Sequence, residues 1–226
     1  MVAMNINRYV VPSRFRRFRK RYANANFAML DIGTVGGAVS MAKLWFPKCR
    51  YYGLDVIDNH LTAQDHAAMD GFFLADLETD NLDRLQDGFF DIIVMSHVVE
   101  HISNALDVLA ILPRKLKPGG LIYIEFPSVR SLNLPNARHT LNFSDDPTHI
   151  RIYDVRDIAN VLMANGLRII RAGRRREWLR VCLSFLSFPQ QIITYMREGR
   201  LHGIGLWDLM GFADFVYAHK PLPSDA

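Results

Sequence analysis

The chain of 226 residues is about one and a half times the usual domain size, so one domain with additions is expected rather than two. Half of its residues are apolar and 22% are charged, which excludes a largely disordered, collagenous or low-complexity protein. Its two cysteines, Cys49 and Cys182, lie far apart in sequence; they exclude a disulfide framework and a CxxC zinc or redox motif, and a reducing, cytoplasmic setting is expected.

Residues 1–21 hold seven Lys/Arg and no acid, which leaves twenty of the 27 basic residues to set against 23 acidic ones elsewhere. The formal charge of +4 therefore describes a basic N-terminal arm on a mildly acidic body, and not a uniformly basic nucleic-acid binder. The first eleven residues lack the charged segment, apolar stretch and small-residue site of a secretory signal, so export is not expected. After Pro12 a short helix is predicted, with Phe15, Phe18 and Tyr22 on one face at i, i+3 and i+7. Its arginines either track phosphates or form a solvated helix face.

Phe27 to Ile32 is a buried strand running into the glycine loop Gly33–Gly37, followed by a helix through Trp45. Arg50 to Val56 and Gly71 to Asp76 are the next strands, each ending near an aspartate, and Phe89 to Met95 is the fourth. Ser103 is placed to cap a helix over 104–116, which Lys117-Pro118-Gly119-Gly120 stops before the strand Leu121 to Phe126. This alternation predicts an α/β protein with a parallel, doubly wound sheet. A long polar loop to about Pro147 follows, then a helix over 154–165, a strand over 167–171 and a last strand over 215–218. No apolar run reaches the roughly 18 residues of a membrane span; the best stretch, Trp178 to Tyr195, is broken by Arg180, Pro189 and two glutamines.

Met29-Leu30-Asp31-Ile32-Gly33-Thr34-Val35-Gly36-Gly37 resembles the first motif of class I S-adenosylmethionine-dependent methyltransferases, an acidic residue before a glycine-rich loop. The resemblance continues through Gly53–Val56, Ala75-Asp76-Leu77, Phe90 to His101 and Leu116 to Glu125. It ends at Thr148-His149-Ile150-Arg151-Ile152-Tyr153, which is similar to a His-Xaa-Arg-aromatic segment in a bacterial methyltransferase subgroup acting on small molecules or polysaccharides. The resemblance implies a Rossmann-like seven-stranded sheet of order 3-2-1-4-5-7-6 with strand seven antiparallel. It divides the chain into a helical arm (1–27), a core (28–171 with 214–220) and an apolar, basic insertion or lid (172–213).

On the same terms, S-adenosylmethionine is the implied cofactor, with Asp31, Gly33, Thr34, Gly36, Gly37, Asp55, Asp76, Leu77, Ser96 and His97 as binding residues. The residue chemistry agrees: an acceptor-only carboxylate at Asp55 suits two ribose hydroxyls, and Asp76 suits an amino group. The family pattern has glycine where this chain has Val35, so either the loop shifts to give Gly36 the close-approach role or affinity falls.

A nicotinamide dinucleotide enzyme would need GxGxxG, which fails at the same position and leaves Asp76 and Ser96–His101 unused. His97-Val98-Val99-Glu100-His101 formally matches the zinc motif HxxEH, but it follows an apolar strand and has no assigned third ligand, so no metal is expected. His149, His97 and Tyr153 are the candidate bases for deprotonating an acceptor. The preferred acceptor is a small-molecule, saccharide or lipid-linked anion, with possible peripheral membrane contact through 178–188 and its arginines. Nucleic acid is disfavoured because the body is net acidic. The alternatives carried are a non-catalytic S-adenosylmethionine-binding module and an RNA methyltransferase.

Overall fold

The computed structural model describes residues 10–80, 82–136, 141–186, 192–193, 196–197 and 206–225. Strand parity builds the architecture. In β1 (Phe27–Ile32), Ala28, Leu30 and Ile32 join one apolar cluster while Phe27 and Met29 join another on the opposite face. The same alternation runs through β4 (Phe90–Ser96), β5 (Leu116–Pro127) and β7 (Ala213–His219), so a single sheet separates two cores. With β2 (Cys49–Asp55), β3 (Gly71–Leu74) and β6 (Arg168–Arg174), its order is β3-β2-β1-β4-β5-β7-β6. Strands β1 to β5 pair in parallel, and β7 is antiparallel to both β5 and β6. The expected sheet is the one found.

One face is covered by α4 (Ala105–Lys115) and α5 (Val155–Ala164), whose Leu109, Leu112, Ile158 and Leu162 are buried. The other face is covered by α1 (Ser13–Tyr22) and α2 (Ala38–Trp45). Residues Ser13–Tyr22 of the basic arm thus form a structural layer. Phe15 meets Phe46 edge-on at 5.5 Å, and Phe18 packs between Tyr123 and Tyr217. The α1 arginines are drawn into the fold: Arg17 lies 4.1 Å over the Phe215 ring, Arg19 4.9 Å over Trp45, Arg16 pairs with Glu177, and Arg21 donates to the Gly119 carbonyl.

Three local expectations change. Ser103 does not cap α4; its hydroxyl and amide both donate to Glu78, and Asn104 takes the cap position. Lys117–Gly120 does not precede β5 but forms an irregularity inside it, where the register with β4 shifts between Phe90 and Ile92. Helix α5 starts at Val155 because Asp154 and Asp157 form a reciprocal capping box. In the 172–213 insertion, α6 (Trp178–Leu186) is followed by α7 (Leu206–Met210). No helix among the described residues is long and apolar enough to cross a membrane.

Phe18→Ala should lower unfolding free energy in denaturant titrations by about 3–5 kcal/mol, the scale for a buried ring, whereas the exposed Lys20→Ala should stay within about 0.5 kcal/mol. Equal small losses would show that α1 is not part of the core.

Candidate active site

The parity that puts Phe27 and Met29 beneath α1 and α2 puts Asp31 there too, at the carboxyl end of β1. It is 1% exposed, and Tyr51 donates to its Oδ2 at 2.5 Å with Arg14 at 3.8 Å. Its Oδ1 is buried with no hydrogen-bond partner. Burial pushes the carboxyl pKa up, against the pull of Arg14 and the Tyr51 bond, so the charged form has room for one more donor.

The loop after Asp31 is held from several sides. The Thr34 hydroxyl donates to the Asp31 carbonyl at 2.6 Å, and the Gly33 amide donates to the Leu54 carbonyl. His60 contacts the Thr34 carbonyl through Nε2 at 2.7 Å, and Asp65 accepts from the Gly37 amide at 3.0 Å. Asp65 also closes a capping box with Thr62 at the start of α3 (Ala63–Ala68), so one carboxylate fixes two helix starts. Neither His60 nor Asp65 was among the residues expected to matter; the Thr-x-x-Asp spacing of Thr62 and Asp65 was the available signal.

The glycines differ in role. Gly33 has φ +79°, and a Cβ on it would sit 2.3 Å from the Val98 side chain. A Cβ on Gly36 would sit 2.8 Å from the His60 carbonyl, while Gly37, at φ +77°, faces open space. A Cβ on Gly36 would thus meet the His60 backbone, and Val35 stays 55% exposed on the rim of a cavity that Gly36 also lines.

Two cavities open on either side of this loop, outside the carboxyl ends of the strands where such sheets bind ligands. The first, about 250 Å³, is an apolar slot lined by Leu54, Ala75, Leu77 and Ile102, with Asp55 and Asp76 at its rim. Asp55 accepts from the Ile57 amide and Asp76 from the Glu78 amide. The second, about 380 Å³, is lined by Val35 to Ala38, Ser96, His97 and Arg14, and the 172–213 insertion adds Arg175, Arg180 and Trp207.

At the second cavity Glu125 ends the buried parity of β5. Tyr123 donates to its Oε2, Arg175 donates at 2.8 Å to Oε1, and His97 Nε2 lies 3.2 Å from Oε1. The other His97 ring nitrogen lies 3.2 Å from Glu100. Burial alone would raise the Glu125 pKa, yet Arg175, His97 and Tyr123 together hold it at about 2. Burial would likewise lower His97, but hydrogen bonds and charge from Glu100 and Glu125 raise it to about 9. His97 also takes φ +56°, with its amide donating to the Glu125 carbonyl, so its backbone is strained where β4 ends.

Two of the expected bases, His97 and Tyr153, stand in different surroundings. His97 lines the cavity between the carboxylates of Glu100 and Glu125, whose hydrogen bonds and charge favour its protonated form. Tyr153 is 2% exposed with its hydroxyl donating to the Ile102 carbonyl, which makes it part of the α4/α5 core. His149 lines a separate cavity of about 140 Å³ that shares His97 and Trp207 with the larger one.

The sheet order with its antiparallel β7, together with paired cavities astride a glycine loop, is the class I methyltransferase arrangement. A methyltransferase-domain family model matches residues 6–172, and the chain belongs to that family, enzymes whose methyl donor is S-adenosylmethionine. No curated protein gives a match. An S-adenosylmethionine-dependent methyltransferase from Archaeoglobus fulgidus has 21% identity over 94% of each chain, with a TM-score of 0.58. A Haemonchus contortus phosphoethanolamine N-methyltransferase 2 in complex with S-adenosylmethionine has 18% identity over 92% of this chain and 51% of its own, with a TM-score of 0.64. A complex of the Haloferax volcanii Trm112 methyltransferase activator with a candidate methyltransferase has 15% identity over 92% and 89%, with a TM-score of 0.61.

The two shifted groups set a pH window. Glu125 stabilises the fold above its unfolded value near 4.5, and that contribution is lost as pH falls through about 2. His97 stabilises fully below its unfolded value near 6.5 and loses that contribution as pH rises through about 9. Wild-type stability should therefore decline between pH 6.5 and 9, and His97→Gln should flatten that decline in denaturant titrations. An unchanged slope would mean the imidazolium does not form.

Proposed function

We propose that this protein transfers a methyl group from S-adenosylmethionine to a compact anionic acceptor, a small molecule, saccharide or lipid-linked group, by direct in-line displacement. The observation that carries the reading is the orphaned Oδ1 of Asp31, a buried acceptor beside the glycine loop, which suits the ammonium of an amino-acid moiety. Asp55 and Asp76 would hold ribose hydroxyls and the adenine amino group at the rim of the apolar slot, with Leu77 against the base. Gly33, Thr34, Gly36 and Gly37 shape the loop between, and Ser96 and His97 face the methionine end.

S-adenosylmethionine supplies a methyl already activated by its sulfonium, so the work of the chain is alignment and exclusion of water. The His97 imidazolium with its two carboxylates is a rigid wall for that purpose. Trp207, tilted against His97 with ring centroids 5.2 Å apart, lines the same cavity. Arg14 and Arg180 on the cavity wall favour an anionic acceptor. A compact acceptor fits better than nucleic acid, because the α1 arginines that would have tracked phosphates are engaged with Phe215, Trp45, Glu177 and Gly119. Exposed Trp178, Leu179 and Phe185 on α6 support a lipid-linked acceptor or contact with a membrane surface. On the acceptor side His149 turns toward the smaller cavity that His97 borders.

Calorimetry should show S-adenosylmethionine and its demethylated product binding, with Asp55→Ala weakening both by about 1–3 kcal/mol; no binding by wild type would end the reading. Labelled methyl offered with a fractionated cell extract should enter the small-molecule or lipid pool. Recovery chiefly in RNA or DNA, with steep loss between about 50 and 200 mM salt, would replace the acceptor class.

A further inference from the structure

The turn after β4 and the loop that precedes α5 meet at a cluster of side chains that methyl transfer leaves unexplained. We propose that Glu100, His101 and His149 form a binding site for one divalent transition-metal ion. One ring nitrogen of each histidine and one oxygen of Glu100 all lie within 4.8 Å of one another. A tetrahedral site with bonds of about 2.0 Å needs its ligands roughly 3.3 Å apart, so the three groups draw closer on binding an ion.

Three observations turn proximity into a site. Both imidazoles are oriented through Nδ1: His101 Nδ1 lies 3.1 Å from the Thr148 carbonyl and 3.0 Å from its hydroxyl, and His149 Nδ1 lies 2.6 Å from the Phe143 carbonyl. A backbone carbonyl on Nδ1 fixes the tautomer that leaves Nε2 as the ligating nitrogen, the usual support for a metal-bound histidine. Glu100 is 1% exposed, and while its Oε1 meets His97, its Oε2 is buried with no hydrogen-bond partner. A buried carboxylate oxygen without a donor is costly, and a cation removes that cost. The two segments are also stapled in register, since the Ile150 and Arg151 amides both donate to the Glu100 carbonyl at 2.8 and 3.2 Å.

A tilted ring contact between the two imidazoles, whose centroids are 4.9 Å apart, would account for the histidines alone but not for the orphaned Glu100 oxygen. Asp146 lies beside the three: its Oδ2 is 3.9 Å from His149 Nε2, while its Oδ1 is held by the Thr148 amide and hydroxyl. Two imidazoles with one or two carboxylates suit Zn²⁺, Fe²⁺, Co²⁺ or Mn²⁺ better than Mg²⁺ or Ca²⁺. The HxxEH spacing pointed to a different set, His97 with His101. The structure gives His97 to Glu100 and Glu125 instead, and brings the missing ligand from His149 in a distant loop. That an ion here would face the acceptor rests on the methyl-transfer reading; that it binds does not. With the ion on Nε2, His149 acts on an acceptor through the metal and not as a free base.

The test is equilibrium dialysis of the full chain, stripped with chelator, against Zn²⁺, with visible spectra of the Co²⁺ form as a second readout. About one Zn²⁺ per chain is expected, with low-coordinate nitrogen/oxygen bands for Co²⁺ and a rise in melting temperature on adding Zn²⁺. His101→Ala, His149→Ala and the near-isosteric Glu100→Gln should each weaken Zn²⁺ by ten-fold or more, while the exposed His66→Ala leaves it unchanged. Absence of stoichiometric Zn²⁺ binding, or binding that survives all three substitutions in folded protein, would overturn the proposal. Calorimetry with S-adenosylmethionine on the same samples reports separately on the methyltransferase reading.

Discussion

The carboxylate of Glu125 is the contact on which the site depends. It is 3% exposed at the end of a central strand, and a charge so placed persists only if donors surround it. Tyr123 comes from its own strand, His97 from the neighbouring strand end and Arg175 from the start of the insertion. Arg175 in turn pairs with Asp208 of α7, which also accepts from the Glu177 amide, and Glu177 pairs with Arg16 of α1. One buried charge thus ties together β4, β5, α1 and the 172–213 insertion, and makes the large cavity a junction of all four.

Helix α1 does two jobs through one periodicity. Its apolar face closes the core over β1, β5 and β7, and the same docking brings Arg14 to Asp31 and to the cavity wall. An amphipathic helix with this many arginines would be marginal alone in water; packing of Phe15, Phe18 and Tyr22 gives it a fixed place. The five arginines of α1 therefore meet aromatic faces, a carbonyl and two carboxylates of this chain.

Much of the fold was legible because it is written in local pattern: strands ending in aspartates, glycines after the first, helices between them. The candidate cofactor residues Asp31, Asp55 and Asp76 follow from their places at strand ends, with Asp31 before the glycine loop and Asp55 and Asp76 at the rim of the apolar slot. Less legible was whatever depends on contacts across the sheet. The docking of α1 needs Tyr123 and Tyr217, a hundred and more residues away in sequence. The raised His97 pKa needs Glu125, the role of Gly36 needs the backbone of His60, and the grouping of His149 with Glu100 and His101 needs the staple from Ile150 and Arg151. Ser103 was misjudged as a cap, and the bond of the Tyr153 hydroxyl to Ile102 was not foreseen, because residue type and spacing say nothing of which partner reaches a hydroxyl first.

In the proposed complex the cofactor lies astride the glycine loop, with its amino-acid end on the buried carboxylate of β1. The most direct check is a crystal structure with S-adenosylhomocysteine. The expected result is the adenosine in the slot rimmed by Asp55 and Asp76 and the amino group within about 3 Å of Asp31 Oδ1. A ligand bound elsewhere, or bound in the cleft with that oxygen still untouched, would contradict it.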